Sequence, residues 1–182
     1  MTSTFTISAW RQSLARSLHV SRSKPEAKYI QLATLSDEGF VQNRTLVFRG
    51  FVDESDHIIM ITDTRSDKFL ALQAHSHAEI CWYFAKTREQ YRLSGNINIF
   101  ANTSDLRTSV WNKISPSAKA QFYWYLDDKL VNELSLNNSI PDTFCVLLLE
   151  TQQVDYLLLA DQHERIKYQL IDKKWQETHI NP

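Results

Sequence analysis

Arg44, Thr62, Ser66 and Lys68 are the residues whose types and spacing speak most directly of chemistry, and the chemistry is phosphate binding. Arg and Lys supply charge-assisted hydrogen bonds of about 1.5–3 kcal/mol each, and Ser and Thr hydroxyls supply neutral donors to the remaining oxygens. Arg44 lies in Asn43-Arg44-Thr45-Leu46-Val47-Phe48-Arg49, and Lys68 closes Asp63-Thr64-Arg65-Ser66-Asp67-Lys68. If the strands bearing Arg44 and Thr62 are neighbours, Arg44 and the Thr62–Lys68 loop meet at one end of a sheet. A helix N-terminus would lie beside them, its unpaired N–H groups favouring an anion. The same mixed-charge loop could instead pair its own charges in solvent, and spacing alone does not choose.

Other chemistries are poorly written in this chain. His75-Ser76-His77 has the spacing of two metal ligands on a strand, but it falls at an expected helix end without a nearby third ligand. A capping or solvent role is expected there, and no metal. Gly39, Gly50 and Gly95 are the only glycines, too few and too scattered for a P-loop or a GxGxxG fingerprint. Cys81 and Cys145 sit in apolar runs without zinc spacing, as reduced core residues of a cytosolic protein would. No Ser/His/Asp or Cys/His spacing marks a nucleophile.

The elements that must position the phosphate set begin with Tyr29–Arg49, which reads as a β-hairpin turning at Ser36-Asp37-Glu38-Gly39. Period two puts Gln42, Arg44, Leu46 and Phe48 on one face and Val41, Asn43, Thr45, Val47 and Arg49 on the other. Each face therefore carries an Arg among apolar neighbours, which asks for an anionic partner. His57–Thr62 reads as a third, buried strand. A short helix should run from Phe69 to His75, with Ser66 as N-cap. Strands follow at Ala78–Phe84 and Glu89–Phe100, the second sorting Gln90, Arg92, Ser94, Asn96 and Asn98 onto one face.

Beyond them, Thr103-Ser104-Asp105 caps a helix to about Ile114, and Ser115-Pro116 opens another. This helical insertion, about 103–126, carries Trp111 and the cluster Phe122-Tyr123-Trp124-Tyr125, expected to pack in a core or interface, with stacking on a ligand as the alternative. An irregular loop is expected at 126–140, then strands at Thr143–Glu150, Val154–Leu159, His163–Ile171 and around Trp175. At the other end, Trp10, Leu14 and Leu18 recur at helical spacing and predict an N-terminal helix over about 6–20. The competing reading is a transit peptide, since Arg11, Arg16, Arg22 and Lys24 come with no acid in the first 25 residues.

Composition bounds the rest. With 182 residues, 43% of them hydrophobic, the chain can bury one sizeable core, and a single domain over 1–182 is expected. Twenty Lys and Arg against 21 Asp and Glu leave no general electrostatic footprint for nucleic acid. No run approaches the ~18 apolar residues of a membrane helix, so a cytoplasmic protein is expected. The element order suits a mainly β protein with helices (α+β): a barrel decorated by helices.

Taken in order, Ala33-Thr34-Leu35, Asn43–Arg49, Ile61–Lys68 and Glu89-Gln90-Tyr91-Arg92-Leu93-Ser94-Gly95 resemble the pyridoxamine 5′-phosphate oxidase family of FMN-binding split β-barrels. The resemblance is closest to the branch whose loop reads DTRSDK, and it covers residues 28–100 more clearly than 143–182. It implies a homodimer with FMN between the subunits and a small-molecule substrate. It further implies a cofactor set of Arg44, Thr45, Leu46, Arg49, Ile61, Thr62, Arg65, Ser66, Lys68, Gln90 and Arg165. In that set Arg44 and Lys68 face the phosphate, Arg65 stands in for an Arg replaced by Asp67, Gln90 contacts the flavin ring, and Arg49 and Arg165 tune it. His163 matches a substrate-site His, and no catalytic acid or base is assigned. Leu157 stands where a Trp is expected, Asp161 where an Arg is, and the Tyr, Arg and Ser that grip a substrate phosphate are not evident in 104–117. The reading is thus a flavin-dependent oxidoreductase on an unidentified small molecule. The alternatives are a true pyridoxamine/pyridoxine 5′-phosphate oxidase and a non-catalytic flavin or haem carrier or sensor.

Overall fold

The computed structural model describes residues 7–124 and 139–182. The expected loop at 126–140 falls almost wholly outside them, as do Tyr125 and the start of the expected N-terminal helix. The described chain runs α1 (Ala9–Val20), β1 (Tyr29–Leu35), β2 (Val41–Val47), β3 (Gly50–Phe51), β4 (Ile58–Asp63), α2 (Asp67–Ala74), β5 (His77–Phe84) and β6 (Glu89–Phe100). Then follow α3 (Asp105–Lys113), α4 (Pro116–Ala120), β7 (Phe144–Leu158), β8 (Glu164–Ile171) and β9 (Lys174–Ile180). No described helix is long and apolar enough to cross a membrane.

The β1–β2 hairpin turns where its Gly predicts: Gly39 takes φ 82° and its N–H bonds the Ser36 carbonyl at 2.9 Å. The sheet is antiparallel, in the order β2-β1-β5-β6-β7-β4-β3, with β8 on β7 and β9 on β8. It does not close, because no ladder joins β2 to β4; the two strands approach across an open seam.

Two strands expected at Thr143–Glu150 and Val154–Leu159 are instead one, β7, fifteen residues long. Its first half pairs with β4 and its second with β8, while β6 follows it throughout. The polar Thr151-Gln152-Gln153 reads as a break in sequence. In the fold it is a β-bulge opposite Ser94/Gly95, which absorbs the extra residue and bends the strand without ending it. Gly95 is required at that point: a Cβ there would lie 2.0 Å from the Glu150 carbonyl oxygen. The helix expected at Phe69–His75 begins two residues earlier, at Asp67.

The main core lies inside the sheet, and α1 closes one end with Trp10 and Leu14 fully buried, as the helical spacing requires. A second cluster under α3 and α4 joins Trp111 and Phe122 to Phe144 at ring distances of 4.8 and 4.9 Å. Phe122 and Tyr123 thus pack as core, whereas Trp124 stays 60% exposed.

The buried carboxylate of Glu89 ties α1 to the sheet through Ser17, the Tyr156 hydroxyl at 2.9 Å and Arg16 at 3.3 Å. Burial alone would push this carboxyl up, but the hydrogen bonds from Ser17 and Tyr156 and the charge on Arg16 hold it below its ordinary value of 4.5. A depressed folded-state value means stability present above about pH 4.5 and lost as pH falls through the folded value. Glu89→Gln is expected to cost about 1–3 kcal/mol at neutral pH. In urea melts across pH, the gap to wild type should close in acid; a pH-independent gap would contradict this.

Candidate functional site

The open seam between β2 and β4 is a groove. One stretch, about 340 Å³, is walled by Thr45 and Leu46 of β2, Ile61 and Thr62 of β4, and Arg49, Arg65 and Lys68. A shallower stretch continues past Arg44, Ser66 and Lys68 along the N-terminus of α2. β2 and β4 are neighbours without being paired in a ladder. They flank one seam, which brings Arg44 and the Thr62–Lys68 loop together all the same.

Arg44 projects from the inward face of β2, opposite Leu32. Its guanidinium donates to the Thr34 hydroxyl (2.6 Å), the Leu32 and Gln42 carbonyls (3.3 and 3.1 Å) and the Gln42 side-chain oxygen (2.9 Å). All these acceptors are neutral. The anionic partner expected for Arg44 is therefore not supplied by the described chain, in which no carboxylate lies within 4.0 Å of it. Lys68 goes further, with no hydrogen bond or ion pair among the described residues. Burial first, and then the nearby positive charge of Arg44, push its ammonium below the ordinary lysine value, with Asp63 and Asp67 opposing from a distance. Two cations held this close call for an anion with several oxygens.

Ser66 occupies the N-cap position of α2, but its side chain does not cap the helix. The hydroxyl donates back to the Asp63 carbonyl at 2.7 Å and lies 3.2 Å from the Thr62 hydroxyl. The N–H of Phe69 bonds the Ser66 carbonyl at 2.9 Å, so the N–H groups of Asp67 and Lys68 are the ones left to whatever occupies the groove. Arg65, which also borders the first stretch of the groove, shares its charge with a neighbouring carboxylate. Its guanidinium is gripped by both oxygens of Asp63 at 2.9 and 2.6 Å and donates to the Trp124 carbonyl at 3.2 Å. Burial tends to raise the Asp63 carboxyl, and the bonds from Arg65 bring it below its usual range.

Gln90, Arg165 and His163 do not line the groove. Gln90 sits on the outward face of β6, opposite Leu157, which in turn faces Arg165 on β8. Arg165 is held by Asp155 at 2.9 and 2.8 Å, and the same carboxylate takes Arg92 at 2.6 Å. Hydrogen bonds from Arg165 above all keep Asp155 below the usual carboxylate range. His163 is exposed in the β7–β8 turn, its Nδ1 donating to the Ala160 carbonyl at 2.6 Å. Asp161 is exposed in the same turn.

A second cavity of about 500 Å³ opens beyond Arg49, which borders both spaces. Phe48, Phe51, Ile59, Val110 and Ile114 make its walls apolar, while Lys28, Arg49 and Lys113 bring positive charge against Asp53 alone. Among the described residues the buried Arg49 Nε has no hydrogen-bond partner, and burial lowers the guanidinium's affinity for its proton. Lys28 and Lys113 lie 85 positions apart (113 − 28) and carry no motif, so sequence reasoning missed them.

Residues 7–101 match the pyridoxamine 5′-phosphate oxidase FMN-binding domain. Along 97% of its length the chain is 31% identical to the pyridoxine/pyridoxamine 5′-phosphate oxidase 2 of Arabidopsis thaliana, 98% of which is covered. A solved pyridoxamine 5′-phosphate oxidase-related, FMN-binding protein from Nostoc punctiforme superposes with a TM-score of 0.87 and 37% identity, over 98% of this chain and all of that one (100%). PhzG from Burkholderia lata, solved with tetrahydrophenazine-1-carboxylic acid, superposes at 0.76 with 21% identity over 97% of this chain and 94% of that one, a likeness of fold.

Proposed function

The chain belongs to the pyridoxamine 5′-phosphate oxidase FMN-binding family, and from that premise we propose that it is an FMN-dependent oxidoreductase whose β2–β4 groove holds the cofactor by its phosphate. The observation that carries this reading is the pair Arg44 and Lys68, two half-buried cations without a carboxylate within 4.0 Å among the described residues, beside the start of α2, which no side chain caps. These residues fit a phosphate monoester: Arg44 and Lys68 answer its charge, and the α2 N–H groups and the Thr62 hydroxyl answer its remaining oxygens. Thr45, Leu46 and Ile61 would wall the portion of the cofactor that follows, with Arg49 at the far end. FMN, when bound, accepts or delivers the electrons of the reaction; the protein's own task is to bind, orient and exclude water.

Gln90, His163 and Arg165 enter this reading through a second copy of the chain. Gln90 and Arg165 share the outward face of the sheet and His163 lies in the adjoining β7–β8 turn, all away from the groove of their own chain, so a dimer that sets this side against a partner's groove would complete the site. The Asp155 clamp would then present Arg165 in a fixed orientation to the ring, with Gln90 beside it able both to donate and to accept. The chain is read as one domain, with α1 and the α3–α4 insertion as parts of it.

Oxidation of pyridoxamine or pyridoxine 5′-phosphate is the second reading, and the cavity beyond Arg49 favours it. Apolar walls with Lys28, Arg49 and Lys113 suit a small aromatic ring bearing an anionic group, and Asp161, one of the positions where the chain departs from the family pattern, is not among its lining residues.

The test is the visible absorption spectrum of the purified protein, followed by acid release and chromatography of the chromophore. Released FMN is the expected result, with turnover of pyridoxamine 5′-phosphate then separating the two readings. Haem in the extract, or a flavin that no common reductant reduces, would favour a carrier or sensor. A colourless protein that takes up no added FMN would refute the cofactor assignment.

A further inference from the structure

The five tryptophans are distributed unequally: Trp10, Trp82 and Trp111 are buried, Trp175 is half-buried, and Trp124 alone is 60% exposed. Trp124 is also the one that borders the β2–β4 groove, together with Thr45 and Leu46 of β2 and Ile61 and Thr62 of β4. Its neighbours Phe122 and Tyr123 pack into the second core cluster, so the segment leaving α4 is anchored up to the residue before it. Trp124 itself is fixed through its backbone, because its carbonyl accepts a hydrogen bond from Arg65 at 3.2 Å. Arg65 is in turn clamped by Asp63, in the loop that presents Ser66 and Lys68. The phosphate loop and the groove's outer wall are thus one hydrogen-bonded unit. An indole left in solvent on the rim of a groove suited to a planar aromatic ligand gains contact area when that ligand arrives.

We propose that Trp124 forms the outer wall of the cofactor site, its indole packing on the bound flavin, and that Arg65 is a positioning residue that holds this wall to the phosphate loop rather than a ligand of the phosphate. The inference rests on the FMN reading and adds to it a role for two residues. Asp63 completes the device: it neutralises Arg65, so the guanidinium adds little charge to the phosphate end but keeps its geometry. The separation of tasks explains how the loop tolerates Asp67 beside Lys68, since Arg44 and Lys68 carry the charge and Arg65 the shape.

The experiment is fluorescence titration of the full chain with FMN, in wild type, Trp124→Ala, Trp124→Phe and Arg65→Ala, each first checked for an unchanged melting temperature. An indole in contact with a flavin quenches its emission, which a phenyl ring does not. Wild type is expected to quench bound flavin strongly. Trp124→Ala should raise Kd about 5- to 30-fold and restore emission, and Trp124→Phe should keep most of the affinity while restoring emission. Arg65→Ala should behave like Trp124→Ala, and the double variant should lose little more, because both remove the same wall. Normal FMN uptake with unchanged Kd and unchanged emission in Trp124→Ala would overturn the inference alone. A wild-type chain that takes up no FMN would overturn the cofactor reading and this inference with it. If Arg65 were a phosphate ligand, its loss and that of Trp124 would add, and inorganic phosphate would compete less well against the Arg65 variant.

Discussion

Arg44→Ala combined with Lys68→Ala is expected to weaken FMN binding by about 3–6 kcal/mol, the loss of two charged contacts worth about 1.5–3 kcal/mol each. The two single variants should differ in a way that reports on the site. Arg44 makes four hydrogen bonds to the β1–β2 hairpin, so its removal also leaves the Thr34 hydroxyl and the Gln42 side chain short of a partner and lowers stability. Lys68 has no such bonds and is disfavoured in its charged form by burial and by Arg44. Lys68→Met should therefore leave the melting temperature of the FMN-free protein unchanged or raise it, while affinity for FMN falls. That opposition is the mark of a residue kept for its ligand at the expense of the fold. Isothermal titration with FMN, paired with thermal melts of the FMN-free proteins, measures both quantities. An unchanged dissociation constant in the double variant would remove the phosphate assignment, and a Lys68→Met protein much less stable than wild type would mean that Lys68 is structural.

Gly95→Ala should be among the most damaging single substitutions in the chain. The added methyl would meet the Glu150 carbonyl oxygen at 2.0 Å and its carbon at 2.9 Å, and both belong to backbone that cannot swing aside. Relief requires moving β6 away from β7 at the bulge, the point where β7 changes partner from β4 to β8. A cost of about 3 kcal/mol or more is expected, at the upper end for overpacking, because the whole ladder must shift rather than one side chain. Urea unfolding gives the number. Since β7 also holds β4, the strand that carries Ile61 and Thr62, FMN affinity should fall in whatever fraction remains folded. A near-neutral Gly95→Ala would mean that the two strands are looser at the bulge than their register implies.

Much of the local structure was legible because its causes are local. Alternation over Glu89–Phe100 marked one face as core, and Tyr91, Leu93 and Ile97 are buried there while Gln90, Arg92 and Ser94 are not. Gly39 marked the hairpin turn, and Trp10 and Leu14 the buried stripe of α1. The β7 error came from the same local logic. Thr-Gln-Gln between two apolar runs has the composition of a turn, and only pairing with β6 on one side, plus β4 and β8 on the other, keeps it extended.

The cofactor set divides along the same line. Residue types by themselves determined that Arg44, Thr62, Ser66 and Lys68 could hold a phosphate, since charge and hydroxyl chemistry belong to the side chain wherever it sits. Their ordered motifs determined the family. Tertiary structure decided which of them face one another. It placed the site in a seam between strands that do not pair, turned the Ser66 hydroxyl away from its helix, and spent the charge of Arg65 on Asp63. It put Gln90 and Arg165 on the opposite face, joined Lys28 to Lys113 across a second cavity, and left Trp124 exposed while Phe122, two residues earlier, is buried. The physical reason is that each of these depends on contacts between segments tens of residues apart, whose pairing is selected by burial of the whole sheet, and a periodic pattern read along one strand carries no record of what will lie across from it.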